Sequence, residues 1–180
     1  IIIFATFYGS TVIGYYFFAM KIVQLPIMFF GQSVRTVFLK YASDNAVEVP
    51  RLYTSFKTIT FILSTIAAML MLTLALYGAD LFAFAFGENW RQAGVYSGWL
   101  MIWFGGNLIQ QPARSLFIVF ALQKNLLFFD LVLGFARLIG LAVCVVYYDV
   151  IAALAVYSVT SFMFYVVTIY GWHLYLKRRL

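Results

Sequence analysis

"TITFILSTIAAMLMLTLALY" (residues 58–77) is a run of twenty residues without a charge. At 1.5 Å per residue, a helix of that length rises about 30 Å, the thickness of a bilayer's hydrocarbon core. The run lies inside an apolar block at about 52–77. Comparable blocks fall at about 12–43, 93–122, 125–148 and 151–176, with a remnant at about 1–9. Of the 180 residues, 65% are hydrophobic and only 10% charged, and the mean hydropathy is +0.97. A soluble domain carries about 25% charged residues, so this composition suits a lipid-facing surface. A membrane barrel would instead show alternating strands of about ten residues. The expected fold class is all-α: a polytopic transmembrane helical bundle, one domain over 1–180, with about five full spans plus the end of a sixth.

The first residue is Ile1, and "IIIFATFYG" reads as the tail of a helix cut short, so the chain is expected to be a fragment of a longer protein. The single cysteine, Cys144, excludes an intrachain disulfide and a multi-cysteine metal site. There is no Gly-rich phosphate loop, HExxH or Ser–His–Asp pattern. The one histidine, His173, sits near the end of the last block and reads as interfacial. No metal, cofactor or bond-making chemistry is expected.

The net charge of +6 lies mostly at membrane edges, where basic residues set topology rather than bind nucleic acid. Arg35, Lys40, Arg51 and Lys57 flank a connector at 44–51, diluted by Asp44 and Glu48. Lys124 and the run Lys177, Arg178, Arg179 fall on the same side if every block spans. The opposite side holds a loop at 78–92, with Asp80, Glu88 and Arg91, and the turn at Asp149. The positive-inside rule then places the 44–51 loop and the C-terminus in the cytoplasm and the 78–92 loop outside. Trp90, Tyr147 and Tyr148 at outer ends, and Trp172 and Tyr175 at an inner end, fit an aromatic belt or plain apolar filling. Pro26 and Pro112 should kink their helices, and Pro50 marks the start of the next one. Gly87 can end a helix and Asn89 cap the following one. Gly105 and Gly106 suggest close helix packing or bending.

Polar residues inside the apolar blocks carry the functional signal. Lys21, Gln24, Gln32 and Arg35, with Met28 between, span an arc of about 80° on one helix face. Asn107, Gln110, Gln111 and Arg114 span about 100° on another. Asp130 and Arg137 are seven apart, hence on one face about 10 Å apart along the axis. A charge at the bilayer centre costs about 2.5–3.5 kcal/mol on insertion scales, so such residues normally face a bundle interior or a wet cavity. Three polar faces suggest one shared, net cationic cavity. Lys21 and Arg114 are read as cavity-facing, with snorkelling the competing reading; Arg35 is read as snorkelling to headgroups. Arg137 and Asp130 either face the cavity, or neutralise each other or bridge helices. Gln110 and Gln111 either face it or satisfy backbone freed by Pro112.

Three stretches, in order, resemble a known family. "STVIGYYFFAMKIVQLPIMFFGQSVRTVFLKYAS" (Ser10 to Ser43), "FAFGENWRQAG" (Phe84 to Gly94) and "ALQKNLLFFDLVLGFARL" (Ala121 to Leu138) are similar to a helix, an external loop and a turn-plus-helix of bacterial polysaccharide and O-antigen flippases. These are the Wzx-like branch of the multidrug/oligosaccharidyl-lipid/polysaccharide exporter superfamily. The resemblance covers nearly all of the chain. It implies that this is most of the second, C-terminal lobe of a two-lobed transporter in the bacterial cytoplasmic membrane. It also implies a polyprenyl-pyrophosphate-linked oligosaccharide as substrate, moved by alternating access, with polysaccharide polymerase or assembly proteins as partners.

An anionic pyrophosphate suits a cationic lining. The candidate substrate-binding residues are therefore Lys21, Gln24, Asn107, Gln110, Gln111, Arg114 and Arg137. Asp130 is the candidate ion-coupling group. A drug exporter of the same superfamily, taking organic cations, would need several intramembrane carboxylates, and Asp130 is the only one offered. A non-transporting scaffold would not need polar faces on three helices.

Overall fold

The computed structural model describes residues 2–147 and 149–180, with side chains at 9–144 and 149–180. The predicted span at 1–9 therefore has only its backbone described. Tyr148, and the Tyr147 side chain, lie outside the described residues. All regular structure among them is helical: α1 (Ile2–Asp44), α2 (Val49–Phe86), a 3-10 turn (Glu88–Trp90), α3 (Arg91–Ile109), α4 (Gln111–Val119), α5 (Gln123–Tyr147) and α6 (Val150–Lys177). Four segments among them are long and apolar enough to cross a membrane: Gly9–Asp44, Val49–Phe86, Gln123–Cys144 and Val150–Lys177. The architecture is a polytopic helical bundle.

The helix ends follow local chemistry. Gly9, at φ 75°, breaks α1 and separates the short first block from the second. Helix α1 then stays helical through Pro26. Pro50 occupies the first turn of α2, where its missing N–H costs nothing. Gly87, at φ 98°, ends α2 in a conformation that penalises any Cβ. Asp149 caps α6 by accepting the Ala152 N–H at 2.9 Å. Asn89 makes no capping bond and lies inside the 3-10 turn.

Two boundaries differ from the sequence expectation. Helix α2 continues past Tyr77 to Phe86, through most of the stretch read as the 78–92 loop. Nothing before Gly87 stops it, because Asp80 is tolerated in a helix and Ala83 and Ala85 favour one. The block at 93–122 is two helices rather than one kinked span, with the break at Gln110. Pro112 starts a new helix, sitting in the first turn of α4.

Two apolar clusters fix the packing. One joins α1, α2, α3, the end of α5 and the start of α6, with Ala19, Leu63, Leu100, Cys144 and Ala153 among its members. The other joins the ends of α1 and α6 to the start of α2 and to α4, through Phe38, Leu52, Leu116 and Leu176. Helix ends therefore alternate between the two faces of the bundle. Trp172 belongs to the second cluster, 4% exposed, with Phe117 edge-on at 5.0 Å between centroids. It is core, not a belt anchor. Trp90 packs on Phe18 at 4.0 Å between centroids.

Helix α3 packs against α1, α2 and α6 and is buried on most sides. Its closest approach is to α2. Gly94 and Gly98 are four apart and face Gly78, Ala75 and the backbone beside them. A Cβ at Gly94 would collide with the Gly78 carbonyl and come within 2.7 Å of the Ala79 Cα. This is a small-xxx-small contact, in which packing replaces a hydrophobic drive that lipid does not supply. Further along α3, a Cβ at Gly106 would fall 2.8 Å from both Phe162 and Tyr165 of α6.

The short loop after α2 is tied by charge. Arg91 pairs with Asp80 and with Glu88, bridging α2 to the start of α3. The Arg91 guanidinium holds the Glu88 carboxyl below its ordinary range, mainly by hydrogen bonding. A lowered folded-state pKa gives stability that is present at neutral pH and lost as pH falls through the carboxylate range. Wild type should therefore be the more stable relative to Glu88→Gln at pH 7, and the gap should narrow as the pH falls through and below the ordinary carboxylate range. Paired thermal melts across that range measure it; a gap that widens on acidification contradicts the assignment.

Candidate functional site

Two of the polar stripes meet, and the third reaches them through one ion pair. The α1 stripe is helical throughout, so Met28, Gln32 and Arg35 share one face. Across the α3–α4 junction Asn107, Gln111 and Arg114 stay on one face and look into the same space. Together with Ile27 these residues line a pocket of 230 Å³ between α1 and the α3–α4 junction. Gln111 Nε2 donates to the Asn107 carbonyl at 3.1 Å and to Asn107 Oδ1 at 3.0 Å. Gly31 lies beside that amide, where a Cβ would sit in ordinary van der Waals contact 3.5 Å from Gln111 Nε2. Ser115 Oγ donates to the carbonyls of Gln111 and Arg35, at 3.1 and 3.4 Å, tying α4 to α1 beside the pocket.

The charges are arranged unequally. Arg114 Nη2 donates to Asp130 Oδ2 at 2.6 Å, which joins α4 to α5. Asp130 is thus the counter-ion of Arg114, joining two helices, and the reading in which Asp130 and Arg137 neutralise each other is corrected. Arg35, exposed on α1 at the pocket, makes no ion pair among the described residues. Two guanidiniums against one carboxylate leave the pocket region with one net positive charge. Its cation, fixed amides and open face suit an anion with hydroxyl-bearing neighbours.

Arg137 is elsewhere. It points between α3 and α6, where Nε donates to Ser161 Oγ at 2.7 Å and Nη2 to Tyr165 OH at 2.7 Å. Its Cζ lies 4.9, 5.4 and 5.8 Å from the ring centroids of Tyr157, Trp103 and Tyr165. Trp103 Nε1 also donates to Tyr165 OH, at 3.1 Å. An aromatic cage with no carboxylate among the described residues holds the cation by ring quadrupoles and neutral acceptors. Asp130 and Arg137 share a face, but α5 passes α4 near its start and α6 beyond, so each takes a different neighbour.

Other candidates are dispersed. Lys21 is exposed on α1, on the Arg35 face but about 21 Å along the axis from it. Gln24 is half-buried between them and outside the pocket lining. Gln110 is 3% exposed at the helix break, and its Nε2 has no hydrogen-bond partner among the described residues. The cage residues Tyr157, Ser161 and Tyr165 were not singled out from sequence. Their spacing of four along α6 was the available signal.

A family model described as "polysaccharide biosynthesis protein" matches residues 1–94, just over half of the chain and including Gln32 and Arg35. No curated protein and no solved structure matches.

Proposed function

Because this chain belongs to the polysaccharide biosynthesis protein family, we propose that it is one lobe of an exporter for lipid-linked oligosaccharide. The family and the membrane-length helices make it a multi-pass membrane protein with a role in polysaccharide synthesis or export. The finer reading is a Wzx-like flippase of the multidrug/oligosaccharidyl-lipid/polysaccharide exporter superfamily. It carries polyprenyl-pyrophosphate-linked units for O-antigen or related polysaccharide out of the bacterial cytoplasmic membrane. Its C-terminus is cytoplasmic, consistent with the basic residues gathered at the ends of α1 and α6 and the start of α2.

One observation carries this reading. Polar residues from separate apolar helices converge on a single pocket, and its Arg35 has no carboxylate of its own among the described residues. A pyrophosphate entering there meets Arg35 directly and competes with Asp130 for Arg114. The amides of Asn107 and Gln111 and of Gln32 offer hydrogen bonds to phosphate or sugar. No bond is made or broken in this account; the lobe reorients around its cargo. Asp130, bound to Arg114 at 2.6 Å, acts as a releasable counter-ion. An organic-cation exporter fits less well, because the carboxylate of Asp130 near the pocket is already held by an arginine.

The test is surface polysaccharide in cells whose full-length exporter carries Arg35→Ala. We expect a loss of at least about tenfold, the scale of a charge-assisted hydrogen bond, at unchanged protein level, with partial rescue by Arg35→Lys. Normal surface polysaccharide in Arg35→Ala removes the pocket from the mechanism.

A further inference from the structure

The groove between α2 and α6 is separate from the polar pocket and shares no lining residue with it. It has a volume of 630 Å³ and is bounded along its length by Phe61, Ala68, Met71, Phe162 and Val166. From Lys57 to Met71 it runs about 21 Å along the helix axis, longer than one leaflet of a roughly 30 Å hydrocarbon core. Phe61 and Tyr170 on its rim are 74% and 60% exposed, so the groove is open on the outside of this bundle.

Charge gathers at one end. Lys57 and His173 line it there. Tyr53 OH lies 3.3 Å from His173 Nδ1, and Lys57 Nζ lies 5.4 Å from the Tyr53 ring centroid. Lys57 makes no ion pair among the described residues. Lys177 and Arg178 follow His173 at the end of α6, while Arg179 stacks on Phe120 and Tyr175 instead. Arg51, six residues before Lys57, is paired with Glu48. This end therefore carries an excess of positive charge beside a slot of acyl-chain length.

We propose that the groove is a binding site for one resident anionic glycerophospholipid, its acyl chain between α2 and α6 and its phosphate at Lys57 and His173. A zwitterionic lipid would bring an ammonium group towards the cations of α6. The transported lipid is a poorer fit, because a pyrophosphate in the polar pocket lies across α3 from this groove. The lipid joins α2 to α6 where few direct contacts do, and so ties two helices of the lobe together from outside.

The full-length protein, purified in neutral detergent, is offered equal amounts of phosphatidylglycerol and phosphatidylcholine with matched palmitoyl and oleoyl chains, and retained adducts are read by native mass spectrometry. Wild type should retain one phosphatidylglycerol with a preference of about fivefold, the scale of one lysine at a lipid surface. Lys57→Ala should lose the preference, Lys57→Arg keep it, and Ala68→Trp lose that adduct altogether. Gel filtration confirms that each variant stays folded; Ala68→Leu replaces the tryptophan if it does not. Equal retention of both lipids by wild type, or an unchanged preference in Lys57→Ala, overturns the proposal. So does displacement of the retained phosphatidylglycerol by an equimolar polyprenyl phosphate, which would assign the groove to the carrier's tail.

Discussion

Arg114→Ala is expected to abolish export and to destabilise the bundle, and Asp130→Asn in the same chain is expected to restore stability alone. Arg114 ties α4 to α5 through its 2.6 Å contact with Asp130. Removing one partner of a fully buried pair costs about 3–5 kcal/mol, because the other charge is left unpaired. Here the side chains are 23% and 42% exposed, so a loss of about 1–2 kcal/mol is the better figure after allowing for screening. The double variant carries no orphan carboxylate and should melt within about 0.5 kcal/mol of wild type. It still lacks the cation that meets the phosphate, so export stays lost. Recovery of export in the double variant would show that Arg114 matters only as a strut.

Gly94→Leu is expected to destabilise the bundle more than Arg114→Ala does. The Cβ alone meets the carbonyl of Gly78 and the Ala79 Cα, both backbone, and neither can rotate away. Overpacking a core ordinarily costs about 1–3 kcal/mol and more where the backbone must move. We expect at least about 3 kcal/mol, read as loss of monodisperse protein or a sharp fall in melting temperature. Gly134→Leu is the matched control, since nothing lies within 4 Å of a Cβ there. Equal behaviour of the two variants would mean that α2 and α3 do not approach closely at Gly94.

The sequence carries the bundle plainly because each apolar block is long and charge-poor, and lipid admits little else. The break at Gln110 is harder to see. Pro112 reads the same from sequence whether it kinks a helix or starts one, and only packing of α4 against α1 decides. The α1 stripe gave the right face for Gln32 and Arg35. Depth along that face is a tertiary property, and it leaves Lys21 outside the pocket while bringing Arg35 in. The shared face of Asp130 and Arg137 was likewise legible, but not their partners. Which helix passes each turn of α5 depends on the α4–α5 turn, where Ala121 takes φ 55°. The Gly94–Gly98 contact was available as a small-xxx-small spacing, hidden among residues that any membrane helix tolerates.

The central claim is that the pocket between α1 and α4 engages an anionic carrier phosphate through Arg35. The most direct measurement is leaflet transfer of a fluorescent polyprenyl-pyrophosphate oligosaccharide by the full-length protein in proteoliposomes. Wild type should transfer it, Arg35→Ala should transfer at least about tenfold more slowly, and Arg35→Lys should fall between. Equal transfer rates for wild type and Arg35→Ala, at equal reconstitution, would contradict the claim.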